Sequence, residues 1–144
     1  MPEKPLLSAA FLCEKVLRET DEVLTAVRIV DTFYVTLPTN LPPGARPGIQ
    51  TTLLLSFVKM SSTGGQKHHA TLRVYKPSGA LVAEEPLKMD MVFKDDEISK
   101  CNLIIGLSVG VDEFGLYRID VFVDDQLTAQ VPFRLLERPE SAMN

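Results

Sequence analysis

The chain has 144 residues, enough for one domain that buries roughly 70% of the surface its unfolded form exposes, with no metal or disulfide needed for folding. A hydrophobic share of 45% and a charged share of 24% are those of ordinary soluble proteins, which excludes a disordered chain, and no apolar run approaches the ~20 residues of a membrane-spanning helix. The formal net charge of −4, with fifteen basic residues dispersed along the chain, argues against a nucleic-acid surface, because phosphate binding needs clustered Lys and Arg.

Leu6 to Lys15 reads as a first strand. Its LLSAAFLC core imitates a short signal peptide, but Glu3 offsets Lys4, Phe11 and Leu12 stand where small residues are needed, and Glu14 follows the cysteine at once. The expected location is therefore the cytoplasm. Cys13 and Cys101 sit inside apolar segments, as buried free thiols do, and point to a reducing compartment. A polar turn from Arg18 to Glu22 leads into an extended run, Val23 to Thr36, rich in β-branched and aromatic residues. Asp31 falls on the apolar phase of Val27, Ile29, Phe33 and Val35, which predicts a bulge or a break beside it. The segment TLPTNLPPGARPGI, Thr36 to Ile49, is too rich in Pro and Gly for a helix or a central strand.

Thr51 to Met60 and Ala70 to Tyr75 read as strands joined by the flexible SSTGGQK loop. A turn at Lys76 to Gly79 leads into a short strand, Leu81 to Ala83, and Leu87 to Phe93 alternates as another. Lys94 to Lys100 is a charged connection with room for one helical turn. From Leu103 to Val111 every odd position is apolar and the even ones include Asn102, Gly106, Ser108 and Gly110, which puts one face on a core. Tyr117 to Val123 and Leu127 to Leu135 alternate in the same way around Asp124-Asp125, an acceptable two-residue hairpin turn because Asp tolerates positive φ. Pro132 cannot donate to a ladder and marks an edge or a bulge in this last strand.

Eight or nine short strands with no long helix give an all-β fold, a two-sheet antiparallel β-sandwich spanning residues 1–144 as one domain with a disordered tail from about 138. Glu113-Phe114-Gly115-Leu116-Tyr117, just before the penultimate strand, is similar to the tyrosine corner of immunoglobulin-like domains, in which the hydroxyl bonds back to the main chain. Ile119 occupies the place of an antibody domain's second cysteine and the chain has no tryptophan, so the resemblance implies an Ig-like sandwich without the disulfide. More widely, the opening AFLCE, the proline-rich loop and the closing GLYRIDVFVDDQLTAQVPFRL resemble an uncharacterised bacterial family of single-domain β-sandwich proteins. That resemblance implies a fold and a bacterial origin, and no activity.

No catalytic motif is present: there is no GxSxG elbow, no GxxxxGK phosphate loop and no GxGxxG before a helix. His68 and His69, as strand neighbours, point to opposite faces and read as solvated residues rather than metal ligands. The acidic pairs allow one alternative, a calcium- or carbohydrate-binding cup formed by loops that bring Asp95 and Asp96 to Asp124 and Asp125. The aromatic residues suggest a different surface. Phe122 lies on the polar phase of its strand with Arg118 and Asp120, and Tyr75 and Tyr34 also lie on the less apolar phase of theirs. Phe122, Tyr75, Tyr34 and Arg118 are therefore the expected partner surface of a non-catalytic protein-binding or scaffold module. The expectation is an unknown protein partner, no cofactor, no metal, no nucleic acid and no membrane, with homo-oligomers left open.

Overall fold

The computed structural model describes residues 5–21, 23–36, 40, 42–59, 67–93 and 99–138. Nine strands follow one another: β1 Leu6–Arg18, β2 Leu24–Ile29, β3 Thr32–Val35, β4 Gly48–Lys59, β5 His68–Tyr75, β6 Leu87–Met91, β7 Ser99–Gly110, β8 Gly115–Val123 and β9 Gln126–Glu137. They form a four-stranded sheet in the order β2-β1-β4-β7 and a five-stranded sheet in the order β3-β9-β8-β5-β6. Among the described residues no helix is long and apolar enough to cross a membrane. The expected helical turn in the charged connection, most of the Gly-Ser loop, and the tail beyond Arg138 lie outside the described residues.

The alternation of apolar residues decides which face each strand buries. Leu53, Leu55 and Phe57 of β4 meet Leu72 of β5, Tyr117, Ile119 and Val121 of β8, and Phe133 and Leu135 of β9 in one core between the sheets. Burying such side chains contributes about 1.5–3 kcal/mol each. Tyr117 stacks on Phe133 with ring centroids 5.1 Å apart. Its hydroxyl donates to the Glu113 carbonyl at 2.7 Å, the bond predicted at the corner. Burial, helped by the nearby Asp112 charge, pushes the Tyr117 phenol above its ordinary pKa. Cys13 and Cys101 are buried free thiols, both raised in pKa by burial.

The break expected near Asp31 is a change of sheet. β2 pairs with β1, the chain crosses at Val30 and Asp31, and β3 joins the other sheet beside β9. Arg28 just before the crossing takes a left-handed φ of 52°. The pairing of β3 with β9 is parallel, Thr32 opposite Arg134 through Val35 opposite Glu137, which corrects the expectation of a purely antiparallel sandwich. A run split between two sheets can enter the second from either end, and alternation carries no information about direction. The expected strand at Leu81 to Ala83 is reduced to a single bridge between Leu81 and Tyr75, after which the chain bends until β6 pairs with β5 from Leu87 onward.

Asp124 and Asp125, with φ of 48° and 66°, form the predicted turn between β8 and β9, with both central residues left-handed as a type I′ turn requires. Pro132 sits on the free part of β9. The Arg134 N–H beyond it donates to Asp31 across the β3 side, so the donor that proline lacks would point to the same side, where β3 has not begun.

Candidate functional site

Three of the four expected surface residues come together on the outer face of the five-stranded sheet. Tyr75 lies opposite Arg118, Arg73 opposite Asp120, and Thr71 opposite Phe122, all on the phase turned away from the core. The Arg118 guanidinium stacks 4.8 Å above the Tyr75 ring, and Arg73 stacks 5.6 Å above Phe122. Stacking of this kind is worth about 0.5–1 kcal/mol at exposed sites. Asp120 lies beneath them, only 5% exposed although it is on the outer face. Arg118 grips both its oxygens, at 2.7 and 3.3 Å, and Gln130 donates to it at 3.2 Å. Tyr34 is not part of this cluster. It occupies the same face at a corner, on edge strand β3 opposite Leu136, with Arg138 stacked 5.0 Å above its ring.

The basic residues, dispersed in sequence, are gathered in space. Arg73, Lys88, Arg118 and Arg134 all take the outward phase of this sheet, and Arg138 extends the series at the corner. The carboxylates on the same phase are Asp90 and the buried Asp120. The face is thus cationic on a chain whose net charge is −4. Leu116 beside Arg134 and Leu127 beside Phe122 add exposed apolar surface at its two ends. Phase along the strands marks Phe122, Tyr75 and Arg118, but no linear signal marks the gathering of the basic side chains, because four different strands contribute them.

A second cluster lies at the β8–β9 turn, and here a sequence expectation is corrected. His68 is not solvated; it is 5% exposed, on the inward phase next to Met91. Its Nδ1 lies 2.6 Å from Asp124 Oδ2, while the other Asp124 oxygen accepts from the His69 main-chain N–H at 3.1 Å. With Asp124 ionised, Nδ1 carries the proton, which leaves Nε2 buried and without a hydrogen-bond partner. The His68 ring meets Phe93 edge-on at 5.9 Å, and the Nζ of Lys59, itself buried, lies 6.0 Å from the Phe93 centroid. Burial tends to raise the Asp124 pKa, but the hydrogen bonds from His68 and His69 and their charge outweigh it and hold the carboxyl below its ordinary value. Among the described residues no group of three His, Cys, Asp or Glu side chains is gathered as a metal ion would require.

The acidic loops divide by role. Asp112 receives Lys76 at 2.7 Å and Arg46 at 3.3 Å; the bond from Lys76 first, then the two charges, holds its carboxyl below the ordinary value. Glu113 accepts from the Ser78 N–H and hydroxyl at 3.0 and 2.9 Å, tying the Lys76–Gly79 turn to the tyrosine corner. Asp95 and Asp96 of the expected calcium cup lie outside the described residues, and Asp124 has both oxygens engaged by histidines.

On the other sheet, a groove of about 650 Å³ runs between the β1–β2 hairpin and the outward residues of β4 and β7. Ser8 near the start of β1 and Val23 at the hairpin tip both line it, so the hairpin curls back over that face and shelters Leu54.

No curated protein matches the chain. The model of a family of unknown function, DUF6941, matches residues 8–136, from β1 to the penultimate residue of β9. Every element of both sheets falls at least in part inside that match, and the chain belongs to this family of unknown function.

Proposed function

We propose that the protein is a non-catalytic binding module that docks an acidic protein surface on the outer face of its five-stranded sheet. The observation that carries this reading is the pair of arginines stacked on aromatic rings, Arg118 on Tyr75 and Arg73 on Phe122. Arg, Tyr and Phe are the residues enriched at protein interfaces, and a guanidinium already held over a ring loses little entropy when it meets a carboxylate. The net charge of −4 over the whole chain favours a protein over a nucleic acid as the occupant.

The same reading places the module in a bacterial cytoplasm with an immunoglobulin-like fold. Two buried free thiols favour a reducing compartment. The order β9-β8-β5-β6 matches the G-F-C-C′ order of variable-type immunoglobulin sheets, β4 and β7 match the neighbouring B and E strands, and the Tyr117 bond occupies the corner.

The test is affinity capture from a lysate of the source organism, with Phe122→Ala and Arg73→Glu as controls. The expected result is an acidic protein retained by the natural chain, released by raised salt, and lost in both variants while each keeps its unfolding midpoint. Capture unchanged in both variants, or no protein retained at all, would refute the reading.

A further inference from the structure

Each sheet ends in a strand whose outer row of N–H and C=O groups has no partner strand, and three of the four ends are guarded. β3 has 4 residues, β6 has 5, and β2 has 6 and carries the left-handed Arg28. Short or distorted strands are the ordinary protection against edge-to-edge pairing. β7 has none of it. It runs for 12 residues without proline, its register with β4 is unbroken from Gly48 opposite Gly110 to Lys59 opposite Ser99, and it carries one charge, Lys100. Among the described residues no main-chain hydrogen bond is made to its free edge.

The side chains on that edge are self-complementary. On the outward phase, all of it exposed, the first half carries Lys100, Asn102 and Ile104 and the second half Gly106, Ser108 and Gly110. An antiparallel copy centred on Ile105 would set Ile104 over Gly106, Asn102 beside Ser108 and Lys100 over Gly110, large against small at each place. No like charges would meet, and Lys100 would approach the partner's Asp112 just beyond Gly110. On the inward phase, the same register sets Leu103 against Leu107, two apolar side chains left partly exposed at the seam between the sheets.

We infer that β7 is a homodimerisation edge: two copies join antiparallel through β7, centred on Ile105, into one continuous eight-stranded sheet. The main-chain bonds supply affinity and the large-against-small rows supply register. This inference is independent of the partner face on the other sheet.

Sedimentation equilibrium of the full chain over a range of concentrations tests it, with Ile104→Lys and Ile104→Glu as variants. Ile104 is 41% exposed, outside the core, and diagonal neighbours across such a pair stand about 7–8 Å apart. The expected result is a dimer for the natural chain, at least tenfold weaker self-association for each variant alone, and a restored one-to-one complex when the two variants are mixed. Hydrogen exchange on the natural chain gives a second measurement that needs no variant: the β7 amides on the free edge should slow as concentration rises. A chain that stays monomeric throughout, or a dimer untouched by either variant with β7 exchange independent of concentration, would overturn the inference.

Discussion

Asp124 and Asp125 share one turn and one backbone hand, yet they carry different loads. Asp125 is exposed and, besides forming the turn, makes only a long 3.4 Å contact with the half-exposed His69 ring, whereas Asp124 also holds the buried His68 ring. Glycine adopts the left-handed region freely, so Asp124→Gly keeps the turn and isolates the lost carboxylate. It leaves His68 Nδ1 buried and unpaired, and unfolding in urea should show a loss of about 1–3 kcal/mol. Asp125→Gly should be neutral or slightly stabilising. The folded-state pKa of Asp124 lies below its unfolded value, so its contribution is complete above the ordinary carboxylate pKa and is lost as pH falls through the folded value. The gap between the natural chain and Asp124→Gly should therefore close below about pH 4 in the same urea titrations. Tyr117→Phe, which removes only the hydroxyl bonded to Glu113, should cost about 0.5–1.5 kcal/mol by the same measurement. The Asp-Asp turn and the Tyr117 bond were both legible, because each is written in neighbouring residues. The His68 partnership was not, since the pair is separated by 56 positions and a dipeptide of histidines carries no mark of burial.

At the scale of strands, alternation reveals which side chains face inward but leaves the neighbour and the direction open. It assigned the inner rows of β7 and β8 correctly, and that of β9 from Ala129 onward, but the register shift at Val121 and Phe122 turns Leu127, expected inward, to the outer face. It could not show that the run from Val23 to Thr36 divides between two sheets, because both halves keep the same apolar period and Asp31 marks only the place of the cut. Nor could it show that Arg73, Lys88, Arg118 and Arg134 share a face, which depends on strand order. Pro132 was legible as an edge residue because proline's missing donor is a local property. Restoring that donor with Pro132→Val should change stability by less than about 1 kcal/mol, since the residue is on the exposed phase. It should raise the rate of aggregation on warming, measured by light scattering, because it removes the guard from the free part of β9.

At the scale of the molecule, the two sheets are held to each other by their common core and by five chain crossings, the shortest being the hinge where β2 becomes β3. The hinge is useful only when β9 is present, for β3 has no other strand to pair with. Cutting the chain after Val131 would remove Phe133, Leu135 and the whole partner row of β3, and should abolish cooperative unfolding as followed by circular dichroism. The parallel pair of Thr32 with Arg134 also sets the order of events during assembly. Closing a loop of that length costs about 4 kcal/mol of chain entropy, and topologies ruled by such distant pairings fold in milliseconds to seconds. During synthesis β3 emerges early and waits for a partner that is translated long afterwards. A nascent chain of this protein therefore carries an unpaired strand and half a core through most of its translation, and its exposure to chaperones should end when β9 arrives.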